Sequence, residues 1–119
     1  MFFLCIYDGK ERMLEASRKE FIIGRPSSTQ GIPDLDLCPD KNVSRRHARI
    51  FKDSGVFWIE DLGSKVGVLV NGLRVKDKRR VNYGDRILIG RTEVKMVSTD
   101  LLIDEAAQKN TDQANLPGP

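Results

Sequence analysis

Cysteines and long apolar runs are scarce in this sequence of 119 residues. The two cysteines, Cys5 and Cys38, are too few for a disulfide framework, so we expect two reduced thiols in a cytoplasmic protein. The longest apolar run, Phe2–Tyr7, is far shorter than the roughly 20 residues that cross a membrane. It also lacks the basic leader and the cleavage site of a signal peptide. We expect this run to be the first β-strand and expect no membrane partner.

Groups typical of catalysis are missing as well. The sequence contains no glycine-rich nucleotide loop, no Cys or His cluster with metal-ligand spacing and no nucleophile beside a base. Asp34 and Asp36 are close together, but they lie among prolines and other turn residues, where we expect them to be exposed to solvent. The sequence therefore predicts no enzymatic activity, no cofactor and no metal.

Positive charge is unevenly distributed, although the net charge is only +3. Residues 41–52 contain five Lys and Arg and no acid, and residues 74–80 contain five more with only Asp77 against them. Such stretches attract an anionic partner, either a phosphopeptide or a nucleic acid backbone, or they form an ordinary solvated surface.

Short apolar segments alternate with turn residues along most of the chain. Strands are predicted near residues 21–23, 48–52, 56–60, 86–89 and 93–97. Asn71 and Gly72 separate two further apolar segments and are the residues that a type I′ hairpin turn favours. Many short strands with turns between them predict an all-β sandwich.

The last twenty residues have a different composition. Residues 100–109 could form a short helix with Asp100 as its cap, and residues 110–119 are polar and end in Leu-Pro-Gly-Pro. We therefore expect one domain at residues 1–99, followed at 100–119 by a short helix or flexible linker that leads to further C-terminal domains.

Three polar segments, each beside a predicted strand, contain the groups that bind phosphate. They are Gly24–Arg25, the run from Ser44 to His47, and the run from Asp61 to Gly72. Forked guanidinium groups and hydroxyls can hold a phosphate on loops. Together these segments resemble the forkhead-associated (FHA) domain, and the resemblance extends from about Phe3 to Val97. It implies a two-sheet β-sandwich of about 10–11 short strands (FHA/SMAD-like).

The resemblance also implies roles for individual residues. Arg25 would be the main phosphate contact, with Ser44 donating a hydroxyl and Arg45 supplying a second cation. His47 would brace the loops by hydrogen bonding without touching phosphate. Two expectations come from the residues themselves. Alternation along the strand directs Arg46 to solvent, and Gly24, which closes an apolar strand, would let the backbone turn sharply before Arg25. The other residues that would support the site are Gly63, Ser64, Gly67 and Asn71.

The third segment departs from the family pattern at three positions. The family run Asp-Leu-Gly-Ser-Thr-Asn-Gly-Thr has Lys65, Val66 and Val68 here in place of Thr, Asn and Thr. The family Asn hydrogen-bonds the backbone of the bound peptide, so Val66 at this peptide-contacting position should cost about 0.5–1.5 kcal/mol of binding free energy. Lys65 could partly compensate as a point charge near the phosphate.

The leading hypothesis is therefore a phosphothreonine-dependent protein-interaction module in signalling, which binds a threonine-phosphorylated substrate of a Ser/Thr kinase through loops at one end of the sandwich. Two alternatives stay open. One is an FHA fold that binds a partner independently of phosphate, which Val66 makes credible. The other is a basic nucleic-acid-binding domain, which would need aromatics beside its cations. The basic stretches contain only Phe51, and Phe51 and Trp58 fit packing within or against the sandwich equally well.

Overall fold

The structure is a computed structural model that describes residues 1–98. These residues form eleven strands and no helix, so the prediction of an all-β fold with 10–11 strands is confirmed. The helix and tail predicted at residues 100–119 lie outside the described residues. The strands are β1 (Phe2–Tyr7), β2 (Lys10–Glu15), β3 (Glu20–Gly24), β4 (Leu35–Asp36), β5 (Ala48–Asp53), β6 (Val56–Asp61), β7 (Val68–Val70), β8 (Leu73–Arg74), β9 (Lys78–Val81), β10 (Ile87–Ile89) and β11 (Thr92–Val97).

The strands form two sheets. The first sheet has the order β2-β1-β11-β10-β7-β8, and the second has the order β4-β3-β5-β6-β9. Every pair is antiparallel except β3 and β4, which run parallel. No helix among residues 1–98 has the length and apolar character that crossing a bilayer requires.

The core lies between the sheets because alternate side chains of each strand point inward. Phe3 of the first sheet and Phe21 of the second are both buried, and their rings meet edge to face with centroids 5.2 Å apart. Other apolar strand residues that the core buries are Cys5, Ile23, Leu35, Ala48, Ile50, Ile59, Val68, Val70, Val81, Ile87, Ile89, Val94 and Met96.

The Asn71–Gly72 hairpin is confirmed. Asn71 has a φ of 50° and Gly72 a φ of 83°, as the two central residues of a type I′ turn require, and the turn joins β7 to β8. Three strands were not predicted from the sequence: β2, β4 and β9. Strands β2 and β9 are charged edge strands that contain one buried residue between them, Val81 of β9, and β4 has only two residues.

The loops that follow β3, precede β5 and join β6 to β7 all lie at one end of the sandwich. Strand β3 ends there at Gly24, β5 begins there at Ala48 and β6 ends there at Asp61. The antiparallel pairing of β5 with both β3 and β6 places these three strand ends side by side. The polar segments singled out in the sequence therefore meet at this end.

Candidate functional site

Three loops surround a shallow depression at this end. They are the β3–β4 loop (residues 25–34), the β4–β5 loop (37–47) and the β6–β7 loop (62–67). The depression has a volume of about 430 Å³. We call it the cationic depression because its wall contains four cationic side chains and no acidic one. The residues of the wall are Arg25, Gln30, Ser44, Arg45, Arg46, Leu62, Gly63 and Lys65. Of the predicted contact residues, Arg25, Ser44, Arg45 and Lys65 all line it.

Arg25 is exposed but held in place. Its Nε donates a hydrogen bond of 2.8 Å to the carbonyl oxygen of Val43 in the neighbouring β4–β5 loop. In the described part of the chain the guanidinium makes no other hydrogen bond, so its two terminal nitrogens are available to an anion. A guanidinium fixed through Nε presents these nitrogens as a fork that matches two phosphate oxygens.

Ser44 connects the β4–β5 loop to the β6–β7 loop. Its Oγ accepts a hydrogen bond of 3.1 Å from the backbone N–H of Lys65. Because this bond uses a lone pair of the oxygen, the hydroxyl hydrogen can still be donated to a ligand. The same bond fixes the backbone of Lys65, whose exposed side chain lies at the wall of the cationic depression.

His47 is fully buried, and its side chain hydrogen-bonds to two loops of this end of the sandwich. The backbone N–H of Ser44 donates to Nδ1 at 3.0 Å, which makes Nδ1 an acceptor and places the ring proton on Nε2. Nε2 donates to the carbonyl oxygen of Gly67 at 2.7 Å. The backbone of His47 also bonds to Ile23 and Leu62. One residue therefore joins β3, the β4–β5 loop and the β6–β7 loop.

The β6–β7 loop is also stabilised from within. The Oδ1 of Asp61 accepts from the N–H of Ser64 at 2.8 Å, and the Oγ of Ser64 accepts from the N–H of Gly67 at 2.9 Å. Such side-chain bonds to nearby backbone groups are typical of Asp and Ser in turns. They set the shape of the loop that presents Gly63 and Lys65 to the cationic depression.

The reason for glycine at position 24 differs from the one predicted. Gly24 belongs to β3 and is buried, so it is not a sharp turn before Arg25. A Cβ atom at Gly24 would lie only 2.0 Å from the carbonyl oxygen of Arg45. The β4–β5 loop therefore packs directly against the backbone of β3, and glycine allows this close approach.

Val66 and Asn71 lie outside the cationic depression. Val66 follows Lys65 on the β6–β7 loop and is 48% exposed, but it is not part of the wall. Asn71 lies at the other end of β7 from the β6–β7 loop, and its Oδ1 accepts from the N–H of Arg86 at 2.9 Å. Its side chain therefore stabilises the β7–β8 hairpin and makes no hydrogen bond to the loops of the site.

The family assignment follows from comparison with known proteins. A sequence model of the FHA domain family matches residues 21–90, which is more than half of the chain. The chain belongs to the FHA family. It is 36% identical over 73 residues to the oxoglutarate dehydrogenase inhibitor of Corynebacterium diphtheriae, a match that covers 60% of this chain and 50% of that protein.

Two solved structures have the same FHA fold. One is the FhaA FHA domain complexed with the intracellular domain of Rv3910, with 33% identity, a TM-score of 0.64 and coverage of 80% of this chain and 98% of that chain. The other comes from a structural and functional analysis of phosphothreonine-dependent FHA domain interactions, with 31% identity, a TM-score of 0.59 and coverage of 82% and 99%. The chain spans between 20% and 50% of the length of three curated relatives that it matches.

Several residues of this FHA domain that shape the site were not predicted from the sequence, among them Arg46 and Asp40. Arg46 is exposed, as expected, but it also lines the cationic depression.

Asp40 is 1% exposed, and its carboxylate accepts three hydrogen bonds. The donors are the backbone N–H of Asn42 at 3.0 Å, the backbone N–H of Arg91 at 2.7 Å and the hydroxyl of Thr92 at 2.7 Å. Asp40 thus ties the β4–β5 loop to the turn before β11. An acidic residue in a loop gives no sequence signal for this role, because its partners are about 50 residues away.

Proposed function

We propose that this chain is a phosphothreonine-dependent protein-interaction module that binds threonine-phosphorylated partners through the loops at one end of the sandwich. The observation that carries the proposal is the cationic depression, in which Arg25, Ser44, Arg45 and Lys65 converge from three separate loops. A phosphothreonine brings about −1.5 to −2 charge and three strong acceptor oxygens. Guanidinium, ammonium and hydroxyl donors match those oxygens, and no acidic side chain of the wall opposes them.

The proposed role is recognition rather than catalysis. Arg25 would pair with two phosphate oxygens, Ser44 would donate its hydroxyl, and Arg45 and Lys65 would supply charge from either side. Two FHA neighbours support this use of the fold. One comes from an analysis of phosphothreonine-dependent FHA domain interactions, and the other is the FhaA FHA domain complexed with the intracellular domain of Rv3910. The partner would be a substrate of a Ser/Thr kinase. The free thiols of Cys5 and Cys38 fit a cytoplasmic location.

We further propose that residues 1–99 act as one module of a longer protein. Support comes from the relatives, since the chain matches only a part of their length. The activity of such a whole protein would be regulated through the phosphorylated partner that the FHA domain captures.

Nucleic acid binding is not favoured. Phe51 and Trp58 do lie side by side on the outer face of the second sheet, with Arg49 over Phe51 at 4.3 Å and Lys78 over Trp58 at 5.4 Å. However, Arg49 also forms salt bridges with Glu20 and Glu60 at 3.2 and 2.9 Å. These two carboxylates neutralise the face on which a phosphate backbone would have to lie.

The test compares phosphorylated and unphosphorylated peptides. A degenerate phosphothreonine peptide library is titrated by fluorescence anisotropy against the wild type, Arg25→Ala and the control Arg80→Ala, with unphosphorylated and phosphoserine libraries alongside. Arg80 is an exposed arginine on the edge strand β9, so its loss removes the same charge away from the site. Charge-assisted hydrogen bonds contribute about 1.5–3 kcal/mol, so Arg25→Ala should weaken binding roughly ten- to a hundredfold.

The control variant should bind the phosphothreonine library almost as well as the wild type. Equal binding of all three libraries, or an Arg25→Ala variant that binds like Arg80→Ala, would contradict the proposal. The second outcome would favour a phosphate-independent contact on another face.

A further inference from the structure

A hollow of about 490 Å³ lies at the end of the sandwich opposite the cationic depression, and we call it the distal hollow. It lies where β1 and β3 begin and where the turn at Ser54 and Gly55 joins β5 to β6. None of its residues lines the cationic depression. The residues of its wall are Met1, Ala16, Ser17, Arg18, Lys19, Phe21, Lys52, Ser54, Gly55 and Phe57.

The distal hollow leaves part of the apolar core uncovered. Ala16 and Phe21 are buried members of the core, whereas Met1 and Phe57 pack against it and are only partly buried. The ring of Phe57 also meets the ring of Tyr83 edge to face, with centroids 6.0 Å apart, and Tyr83 is 49% exposed. Apolar surface of this kind gains free energy when apolar side chains cover it.

The wall of the distal hollow is also positively charged. It contains Arg18, Lys19 and Lys52 and no acidic side chain. Arg18 pairs with Asp34 at 3.1 Å, but no salt bridge within residues 1–98 uses Lys19 or Lys52. The ammonium of Lys52 lies 5.3 Å from the centroid of the Phe57 ring, so a cation stands beside the apolar surface. The segment that matches this hollow therefore combines apolar side chains with neighbouring carboxylates.

Strand β11 ends beside the distal hollow. Its last residue, Val97, pairs with Phe2, and the antiparallel register places Ser98 beside Met1 of the wall. Residues 100–105, which follow almost at once, read Asp-Leu-Leu-Ile-Asp-Glu, an apolar run between acids. Three extended residues span up to about 10 Å, so this run can enter the hollow directly from the end of β11.

We propose that residues 100–105 of the same chain occupy the distal hollow. The apolar run would cover Met1 and Phe57, and the flanking carboxylates would pair with Lys19 and Lys52. The folded unit would then extend to about Glu105 instead of ending with β11. A following domain would be joined at the end of the sandwich opposite the phosphate-binding loops, which would point away from it. The inference goes beyond the proposed function and does not depend on it.

Nuclear magnetic resonance of the full 119-residue chain tests the contact through amide hydrogen exchange and amide chemical shifts. The wild type is compared with the triple variant Leu101→Ser/Leu102→Ser/Ile103→Ser. The control is Leu116→Ser, which removes a leucine that follows the proposed segment in the sequence. These substitutions leave the eleven strands unchanged, so the strand signals should persist in all three proteins and report that the sandwich is folded.

In the wild type, the amides of residues 101–105 should exchange at least about tenfold more slowly than those of residues 112–116, relative to their intrinsic rates. The reason is that burying one leucine side chain is equivalent to roughly tenfold or more in an equilibrium constant. The triple variant should lose this protection and shift the amide signals of Ser54 and Gly55. The signal of Gly63, at the other end of the sandwich, should not move, and Leu116→Ser should change none of these.

Charge reversal tests the ionic contacts. Lys19→Glu/Lys52→Glu should reduce the protection of residues 101–105 about two- to tenfold. Adding Asp104→Lys/Glu105→Lys to that variant should restore it. The control Lys10→Glu/Lys76→Glu makes the same change in net charge at two exposed lysines that do not line the distal hollow, and it should leave the protection unchanged.

The inference is overturned if residues 101–105 exchange as fast as residues 112–116, or if the triple variant leaves Ser54 and Gly55 unmoved. It is also overturned if the second charge reversal restores nothing. Protection that rises with protein concentration would place the segment of a second copy in the hollow and would equally refute a contact within one chain. These variants keep every residue of the cationic depression, so none of these outcomes bears on phosphothreonine binding.

Discussion

The Nε2 of His47 and the carbonyl oxygen of Gly67 lie 2.7 Å apart, and this hydrogen bond locks two loops of the binding end together. The other ring nitrogen accepts from Ser44, the residue that is to donate to phosphate. A buried imidazole with both nitrogens paired leaves no polar atom of its ring without a partner. The geometry of the site is therefore set by a residue that does not face the ligand.

Replacing His47 with alanine should cost about 3–5 kcal/mol in the free energy of unfolding, because a cavity forms and two buried backbone groups lose their partners. Urea denaturation measures the loss, and peptide titration should show weaker phosphothreonine binding. Arg46→Ala is the matched control, since its exposed side chain should change stability by no more than about 0.5 kcal/mol. Equal stability of the two variants would show that the bracing is unimportant.

Gly24→Ala should weaken both stability and peptide binding. The added Cβ would overlap the carbonyl oxygen of Arg45, so the β4–β5 loop must move, at a cost of about 1–3 kcal/mol. Gly55→Ala is the control, because Gly55 has a φ of 79° and open space around it, in a turn at the opposite end of the sandwich. It should lower stability through backbone strain and leave peptide affinity unchanged. A Gly24→Ala variant with unchanged affinity would refute the close-approach argument.

Val66→Asn should strengthen phosphopeptide binding, because it restores the amide that other members of the FHA family are expected to use on the peptide backbone. One such hydrogen bond contributes about 0.5–1.5 kcal/mol, so calorimetry should show up to a tenfold lower Kd. Val66 is exposed, so stability should hardly change. The isosteric Val66→Thr is the control for added polarity alone. No gain with Asn would mean that the peptide passes the β6–β7 loop without contacting this position.

Cys5 should make stability fall at alkaline pH. Burial raises the pKa of its thiol from 9.0 to about 11, although nearby Arg12 acts in the opposite direction. The pKa of the thiol is higher in the folded protein than in the unfolded chain. The neutral thiol of Cys5 therefore contributes fully to the free energy of unfolding below pH 9, and this contribution is lost as pH rises toward about 11. Denaturation at several pH values should therefore show a steeper decline for the wild type than for Cys5→Ala, by up to about 2 kcal/mol. If the free energies of unfolding of the wild type and Cys5→Ala fall in parallel with pH, the buried thiol of Cys5 does not cause the decline.

Much of the fold could be predicted because its signals are local. The first strand, Phe2–Tyr7, and the Asn71–Gly72 hairpin follow from apolar patterning and turn chemistry, which act over a few residues. Strand β2 was missed because its side chains are mostly exposed and charged, and it forms by pairing with β1 across the turn at Asp8 and Gly9. That Asp-Gly pair was the signal that could have revealed it.

The sequence by itself determined which groups could bind phosphate, since Arg25, Ser44 and Lys65 are chemically suited to it wherever they lie. Only the tertiary structure decided that they share one depression, that Arg46 also lines it, and that Gly24 is required by the passing backbone of Arg45. The physical reason is that strand formation depends on neighbours along the chain, whereas the meeting of loops depends on strand register and on buried hydrogen bonds such as those of His47 and Asp40.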